Sequence, residues 1–243
     1  IGDGENDHAM LALSEYGVAV ANAVPMLKET ADRTTAGDHG RGVIEIIDDL
    51  LSDDLTASER TMSRHGLLLG RRLNGEDLML AFGRRNLLVA GTSGSGKSTL
   101  ATGLLERLAE QGYQLCVIDP EGDYDSVPQA VILGTAQNGP SVTEILTALA
   151  NPQTHVVVNL VGLPLHDRPA FFLGLLPKIL DLRAASGRPH WILIDETHHL
   201  LPRDGNPTAP ALAHDSTGMM YVTVHPDQID TSILKTVDVI FAL

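Results

Sequence analysis

The sequence holds a single cysteine, Cys116, among 243 residues. That excludes an internal disulfide framework and any cysteine-rich metal site. Cys116 sits in the apolar run at residues 115–118, so it reads as a buried strand residue rather than a reactive thiol. Basic side chains are also scarce: 17 Lys and Arg stand against 31 Asp and Glu, a net charge of −14. This balance argues against a broad nucleic-acid-coating surface. Long apolar runs are missing as well. A bilayer span needs roughly 18 or more such residues, and the best stretch, 171–180, is interrupted by Pro177 and Lys178. No signal peptide, internal repeat or low-complexity tract is visible. The expected setting is reducing and cytoplasmic, with no membrane partner. The chain begins at Ile1 without an initiator Met and stops on Phe241, Ala242 and Leu243, and we read it as an internal fragment of a longer protein.

What is present is an ordinary globular composition, 43% hydrophobic and 20% charged, long enough to bury a core. The charge is uneven: residues 1–60 carry four basic and thirteen acidic side chains, the first hint of two parts. Periodicity predicts helices over 5–15, 26–31 and 42–51 and a strand over 17–20. SDDLTASERTMS, 52–63, is polar and turn-rich and marks a linker. LLLGRRLNGEDLMLAF follows, with Asn74-Gly75 between two apolar arms, a hairpin signal because the favoured turn needs positive φ at both central residues.

From Asn86 onward strands and helices alternate. Strands are expected at 87–90, 114–119, 155–160, 191–195, 219–224 and 237–243, with helices at 98–111, 142–150 and 168–185. Such alternation implies βαβ units and a mainly parallel sheet covered on both faces.

GTSGSGKS, residues 91–98, follows the first of these strands and opens an amphipathic helix. It matches the phosphate-loop pattern G-x-x-x-x-G-K-[ST] in its required context. Small residues let successive backbone N–H groups turn in around a phosphate, and the helix aims its positive end at the same anion. Gly91, Thr92, Ser93, Gly94, Ser95, Gly96, Lys97, Ser98 and Thr99 are therefore the expected ATP-binding residues. Lys97 would reach the β- and γ-phosphates and Ser98 would ligate Mg²⁺. WILIDE, 191–196, supplies four apolar strand residues and then two acids. Asp195 is placed to hold Mg²⁺ and Glu196 to polarise the attacking water. Catalysis would be positioning plus electrostatics, with Lys97 and Glu196 as the catalytic pair.

Three further features surround this core. VIDPEGDY, 117–124, ends the next strand and brings acids to the same sheet edge; Asp119 superficially imitates a nucleophile loop, but Glu121 stands where a second Asp would be needed. His198 and His199 are adjacent, and a helix sets adjacent side chains about 100° apart, poor geometry for a shared metal. In TVHPDQ, either His225 or Gln228 is a candidate γ-phosphate sensor, or the segment is simply a loop.

GTSGSGKST, VIDPEGDY and LIDETHHLLP, in this order, resemble the HerA/FtsK group of P-loop ATPases, the HerA-like helicase-type ATPases in particular. The hairpin-like lead-in and VHPDQIDTSILKTVD are similar too, so the resemblance spans roughly residues 65–243. It implies a RecA-like P-loop NTPase sheet with flanking helices, ring homo-oligomers with hexamers among them, and ATP-driven translocation of DNA or another polymer. Such rings usually take an arginine from a neighbouring subunit, and no residue of this sequence is assigned to that role.

The opening, IGDGENDHAM, crowds Asp3, Glu5 and Asp7 around two glycines. Asp3 and Asp7 lie four apart across a loop-to-helix turn, where both can face one hard cation; a solvated acidic helix cap is the plainer alternative. A calcium loop is excluded because its later glutamate is missing. IGDGENDHAML, GVAVANA, LKETADRTT and GRGVIEII together resemble the C-terminal end of haloacid dehalogenase (HAD) superfamily phosphatases of the Cof-like kind, over residues 1–52. The resemblance makes Asp3 and Asp7 the Mg²⁺-binding acids of that family's last motif. The family's aspartate nucleophile would lie upstream.

The expected organisation is thus α/β throughout: a partial HAD-like (Rossmannoid) segment over 1–52, a linker over 53–64, and a HerA-like P-loop ATPase domain over 65–243. The expected function is Mg²⁺-dependent ATP binding and hydrolysis. Phosphatase activity belongs to a full-length parent. The alternatives are a parent that is mainly a phosphomonoester phosphatase with an ATP-binding regulatory module, and an ATP switch that moves no polymer.

Overall fold

A strand buried on both faces reads as a near-continuous apolar run, and five strands with apolar interiors, LLVA, LCVID, HVVVN, WILI and MMYVT, form the core of residues 83–243. The computed structural model describes residues 1–14, 16–53, 55, 58, 66–80, 85–203 and 217–243. The expected linker at 53–64 falls largely outside the described residues. By internal contacts the chain divides into Ile1–Phe82 and Gly83–Leu243.

In the first unit a 3-10 turn, Glu5–Asp7, leads into α1 (His8–Leu13), followed by β1 (Val18–Ala19), α2 (Pro25–Thr30), β2 (Arg33–Thr34) and α3 (His39–Asp53). β1 pairs in parallel with β2, and Gly2 bridges Ala19 in the same sense. Leu11, Ala19, Val20, Ala23 and Leu27 form a small buried core. Arg33 ties α3 to this fragment, its guanidinium 2.8 Å from Glu45 and 2.7 Å from Asp49. The same unit contains a hairpin, β3 (Leu67–Arg71) with β4 (Asp77–Leu80), antiparallel and bulged between Leu68 and Gly70. Of the Asn-Gly pair only Gly75 takes positive φ (+86°). The connection runs over 72–76 with the Gly75 N–H on Arg72 O, a longer loop than the two-residue turn that the signal implies.

The second unit runs β5 (Leu87–Ala90), α4 (Lys97–Glu110), β6 (Leu115–Asp119), β7 (Ala130–Leu133), α5 (Val142–Leu149), β8 (His155–Asn159), α6 (Arg168–Ser186), β9 (Trp191–Ile194), α7 (Thr197–Leu200), β10 (Met219–Thr223), α8 (Thr231–Leu234) and β11 (Val239–Ala242). The strands form one seven-stranded sheet in the order β11-β5-β10-β9-β6-β8-β7, every pair parallel. Alternate residues point to opposite faces. Cys116, Ile118, Val156, Val158, Ile192, Ile194 and Tyr221 join one buried cluster with Ile145 and Leu149 of α5 and Phe172, Leu175 and Ile179 of α6. Ala101, Leu104, Leu105 and Leu108 are the buried stripe of α4, which packs against β5, β6 and β10.

One strand departs from the sequence reading, while the helix expected over 168–185 forms as α6. AVIL at 130–133 was not among the expected strands, yet β7 forms the sheet edge beside β8. Helix α6 runs through Pro177 without a break. An interior proline costs about 3 kcal/mol in a helix, and the buried face of Phe172, Leu175, Leu176 and Ile179 offsets it. Cys116 is fully buried, and that burial pushes its thiol up to about 12. Among the described residues, no helix is long and apolar enough to cross a membrane.

One polar residue locks the edge of the sheet opposite the phosphate loop. Asn86, 3% exposed, accepts from the Met219 N–H (3.0 Å) and donates to Thr236 O (3.1 Å), while its own N–H reaches Asp238 Oδ2 (2.6 Å). These bonds join the approaches to β5, β10 and β11. Asn86→Ala orphans a buried donor and a carbonyl, so thermal or urea unfolding should show a loss of about 2–4 kcal/mol.

Candidate functional site

Parallel strands bring their carboxyl ends to one edge, and here the register fixes what meets there. Ala90 lies opposite Thr223, Tyr221 opposite Ile194, and Ile118 opposite Ile194. The loop after β5, the end of β10, the Asp195-Glu196 pair after β9 and Asp119 of β6 therefore share one rim. β10 stands between the loop strand and the acidic strand.

The loop itself is shaped by its glycines. Gly94 (φ +75°) and Gly96 (φ +96°) adopt left-handed backbone with open space beyond their Cα atoms, which keeps the cradle free of side chains. Gly96 is the N-cap of α4, so the helix begins at Lys97. Lys97 is 7% exposed and folds back to donate to Thr92 O at 2.8 Å. Ser95 Oγ is buried without a hydrogen-bond partner. Thr92, Ser93, Gly94 and Thr99 face solvent, while Gly91 and Ser98 are half-buried.

The acids are the electrostatic counterpart. Asp195 is 3% exposed, and burial together with the nearby negative charges of Glu196, Asp119 and Asp123 pushes it up to about 7. Glu196 sits in left-handed backbone (φ 43°, ψ 47°) as the N-cap of α7, a strained conformation for a glutamate that recurs at functional sites. Burial raises its pKa and the charge of Glu121 adds to this, while His199, Lys97 and His225 pull it back. The loop lysine and the strand-end glutamate thus feel one another across the rim.

This carboxylate cluster fits a divalent cation. The hard oxygen donors of Ser98 and Asp195 are the set Mg²⁺ prefers, and a dication would relieve the repulsion that raises Asp195. Asp119 plays a different part. Its Oδ1 accepts the N–H groups of Glu121 (3.2 Å), Gly122 (2.7 Å) and Asp123 (3.2 Å), and its Oδ2 that of Tyr124 (3.1 Å). Both oxygens are occupied in closing the turn, so Asp119 is no nucleophile. Tyr124, fully buried, leaves its hydroxyl unpaired beside the acids, and burial with the charges of Asp195 and Asp119 raises its pKa.

Sequence reasoning missed the group behind Glu196. Thr223 Oγ1, wholly buried at the end of β10, lies 3.0 Å from His198 Nδ1 and accepts the His225 N–H at 3.0 Å. His198 Nδ1 is also 3.2 Å from Glu196 Oε2. The two adjacent histidines do not diverge as helical spacing suggests: their ring centroids are 4.0 Å apart at 37°. α7 is a single turn, and side-chain torsions bring the rings together. His225 packs edge-on against His198 with centroids 5.1 Å apart. Gln228 lies in the turn Pro226–Gln228, lining a cleft of about 290 Å³ with His198, Pro202, Arg203 and Asp227.

At the other end of the chain Asp3 and Asp7 line one cavity of about 240 Å³ with Ile1, Gly2, Val20, His39 and Val43. Asp7 Oδ2 accepts the N–H groups of Asp3 (2.9 Å) and Gly4 (3.1 Å), and the Gly4 bond leads in lowering its pKa. Gly2 is required here, since a Cβ would lie 2.6 Å from the Asp7 side chain.

A parallel sheet with a glycine-cradled lysine and an acidic strand end on one rim defines the class: a P-loop nucleotide hydrolase. The chain belongs to the AAA ATPase domain family, hydrolases acting on ATP, whose model matches residues 68–224. Ahead of it, residues 1–47 match the haloacid dehalogenase-like hydrolase family, so the chain joins segments of two families. The second unit shares its fold with the genome packaging NTPase B204 from Sulfolobus turreted icosahedral virus 2, solved in complex with ATP-gammaS (TM-score 0.51, 17% identity, 65% of this chain and 74% of that one). The first segment is 50% identical over 52 residues to phosphoglycolate phosphatase 2 of Saccharolobus solfataricus, covering 21% of this chain and 22% of that protein. It is 49% identical over 47 residues to phosphoglycolate phosphatase of Methanothermobacter thermautotrophicus, covering 19% of this chain and 21% of that protein. The chain spans about a fifth of the length of these curated relatives.

Proposed function

We propose that this chain is a HerA/FtsK-like, Mg²⁺-dependent ATPase over residues 65–243, joined through 53–64 to the metal-holding end of a HAD-type phosphatase over 1–52. The observation that carries the reading is the convergence of Lys97 and the Asp195-Glu196 pair on one rim, set by the parallel register of β5, β10 and β9. The loop N–H groups from Gly91 to Thr99 hold the phosphates. Lys97 leaves Thr92 O for the β- and γ-oxygens, and Ser98 and Asp195 hold the metal, which when bound neutralises charge on the phosphates. Glu196 orients a water and takes its proton as the water oxygen bonds to the γ-phosphorus and the bond to the β–γ bridging oxygen breaks. Asp3 and Asp7 would hold a second Mg²⁺ in the HAD-like segment. An assembled ring of several copies, working on DNA in the cytoplasm, is the polymer-moving form of this reading.

The test is phosphate release from ATP by the full chain. Turnover should vanish when EDTA exceeds Mg²⁺. Asp195 must be ionised to hold the metal, so protons compete. With its pKa at about 7, the Mg²⁺ needed for half-maximal turnover should rise about tenfold per unit below pH 7. Turnover that rises with added duplex DNA supports the motor. Turnover indifferent to DNA favours an ATP switch regulating a phosphatase parent, the reading that the net charge of −14 favours.

A further inference from the structure

Two histidines of α7 that the proposed hydrolysis does not use form a cluster with Glu196, the residue that would act as its base. Glu196, His198 and His199 each bring one ligand atom to within 4.8 Å of the others. Glu196 Oε2 is buried and makes no hydrogen bond, although His198 Nδ1 stands 3.2 Å away. That imidazole nitrogen is engaged by the Thr223 hydroxyl instead. Two ligands of a tetrahedral ion held at 2.0–2.2 Å lie about 3.4 Å apart, close to the 3.2 Å between Glu196 Oε2 and His198 Nδ1; the His199 ligand atom lies within 4.8 Å of both. His199 is exposed, and His198 lines the open cleft with Pro202 and Gln228, so an ion can reach both rings from solvent. The donor set, two imidazoles and a carboxylate with an open fourth position, suits Zn²⁺ or Co²⁺ and not Mg²⁺.

We propose that Glu196, His198 and His199 form an inhibitory transition-metal site, distinct from the Ser98 and Asp195 oxygens. Its regulatory meaning rests on Glu196 serving as the hydrolytic base. An ion on Glu196 Oε2 withdraws negative charge from the carboxylate and so weakens the base that would receive the water's proton. It also takes His198 Nδ1 from Thr223, releasing the polar end of β10 beside the phosphate loop. ATP hydrolysis would thus be arrested by a borderline divalent cation such as Zn²⁺ while the nucleotide stays bound.

The experiment titrates Co²⁺ into the full chain with excess Mg²⁺ present and reads the visible absorption of tetrahedral cobalt, which requires no turnover. Wild type should show these bands, and His199→Asn should bind at least about tenfold more weakly. In parallel, micromolar Zn²⁺ should inhibit phosphate release by the wild type. His199→Asn should keep its zinc-free rate within about twofold, as exposed substitutions do, and resist the inhibition. Cobalt bound only in octahedral form and displaced by Mg²⁺, bands unchanged in His199→Asn, or equal zinc inhibition of both proteins would overturn the site. A tetrahedral spectrum lost in His199→Asn, with no ATP turnover under any condition, would support the site and overturn the ATPase reading instead.

Discussion

Lys97→Ala is expected to lower ATP turnover by about 10³-fold or more and nucleotide affinity by about 10- to 100-fold, the worth of a charge-assisted hydrogen bond. The side chain is 7% exposed and its ammonium is parked on Thr92 O at 2.8 Å. Exchange of that single carbonyl for phosphate oxygens costs little reorganisation, because the loop already surrounds the ammonium. The larger effect falls on turnover, since negative charge builds on the leaving phosphate in the transition state, where Lys97 is worth most. Arginine should not rescue it, because a planar fork does not replace a point charge in this cradle. The fold should survive. Lys97 lies in the first turn of α4, and the core of that helix is Ala101, Leu104, Leu105 and Leu108. An unchanged melting temperature would therefore separate a lost ligand from a lost fold. Phosphate release and titration with a fluorescent nucleotide measure the two effects, and intact affinity would sink the phosphate-loop assignment.

The parts of this site that local sequence determines were legible. GTSGSGKS needs only its flanking strand and helix to be understood, and WILIDE announces a buried strand with acids at its end. The architecture followed from alternation, since parallel strands need crossovers. What escaped depends on residues far apart in the chain. Thr223 meets His198 across 25 positions, and nothing in TVHPDQ or THHL reports that β10 runs beside β9. The sequence reading weighed His225 and Gln228 as sensors, whereas the wholly buried polar residue at the strand end is Thr223. Asp119 shows the reverse limit: Glu121 at the position of a second Asp already told against a nucleophile, but only the loop geometry shows both oxygens spent on four N–H groups. β7 was missed because no helix separates it from β6, which breaks the strand-helix alternation, and because it is a half-exposed edge strand.

Glu196→Gln is expected to reduce kcat by about 10²- to 10⁴-fold, the usual worth of a general base, while ATP stays bound. The substitution is nearly isosteric, and the backbone at φ 43° is held by the His199 N–H on Glu196 O at 2.8 Å, so α7 should keep its place. What disappears is the acceptor. Burial, with Glu121 behind it, raises the Glu196 pKa, and that makes it a better proton acceptor than a solvated carboxylate. An amide cannot take the water's proton at any pH. A glutamate base is active only when ionised, so wild-type turnover should fall as pH drops through the raised pKa, and the Gln variant should lack that limb. The limb set by Asp195, at about 7, should persist in both, because metal binding still needs its carboxylate. Single-turnover hydrolysis with a parallel nucleotide titration distinguishes the outcomes. A variant with wild-type kcat would move the base elsewhere on the rim, whereas trapped, unhydrolysed ATP places it at Glu196.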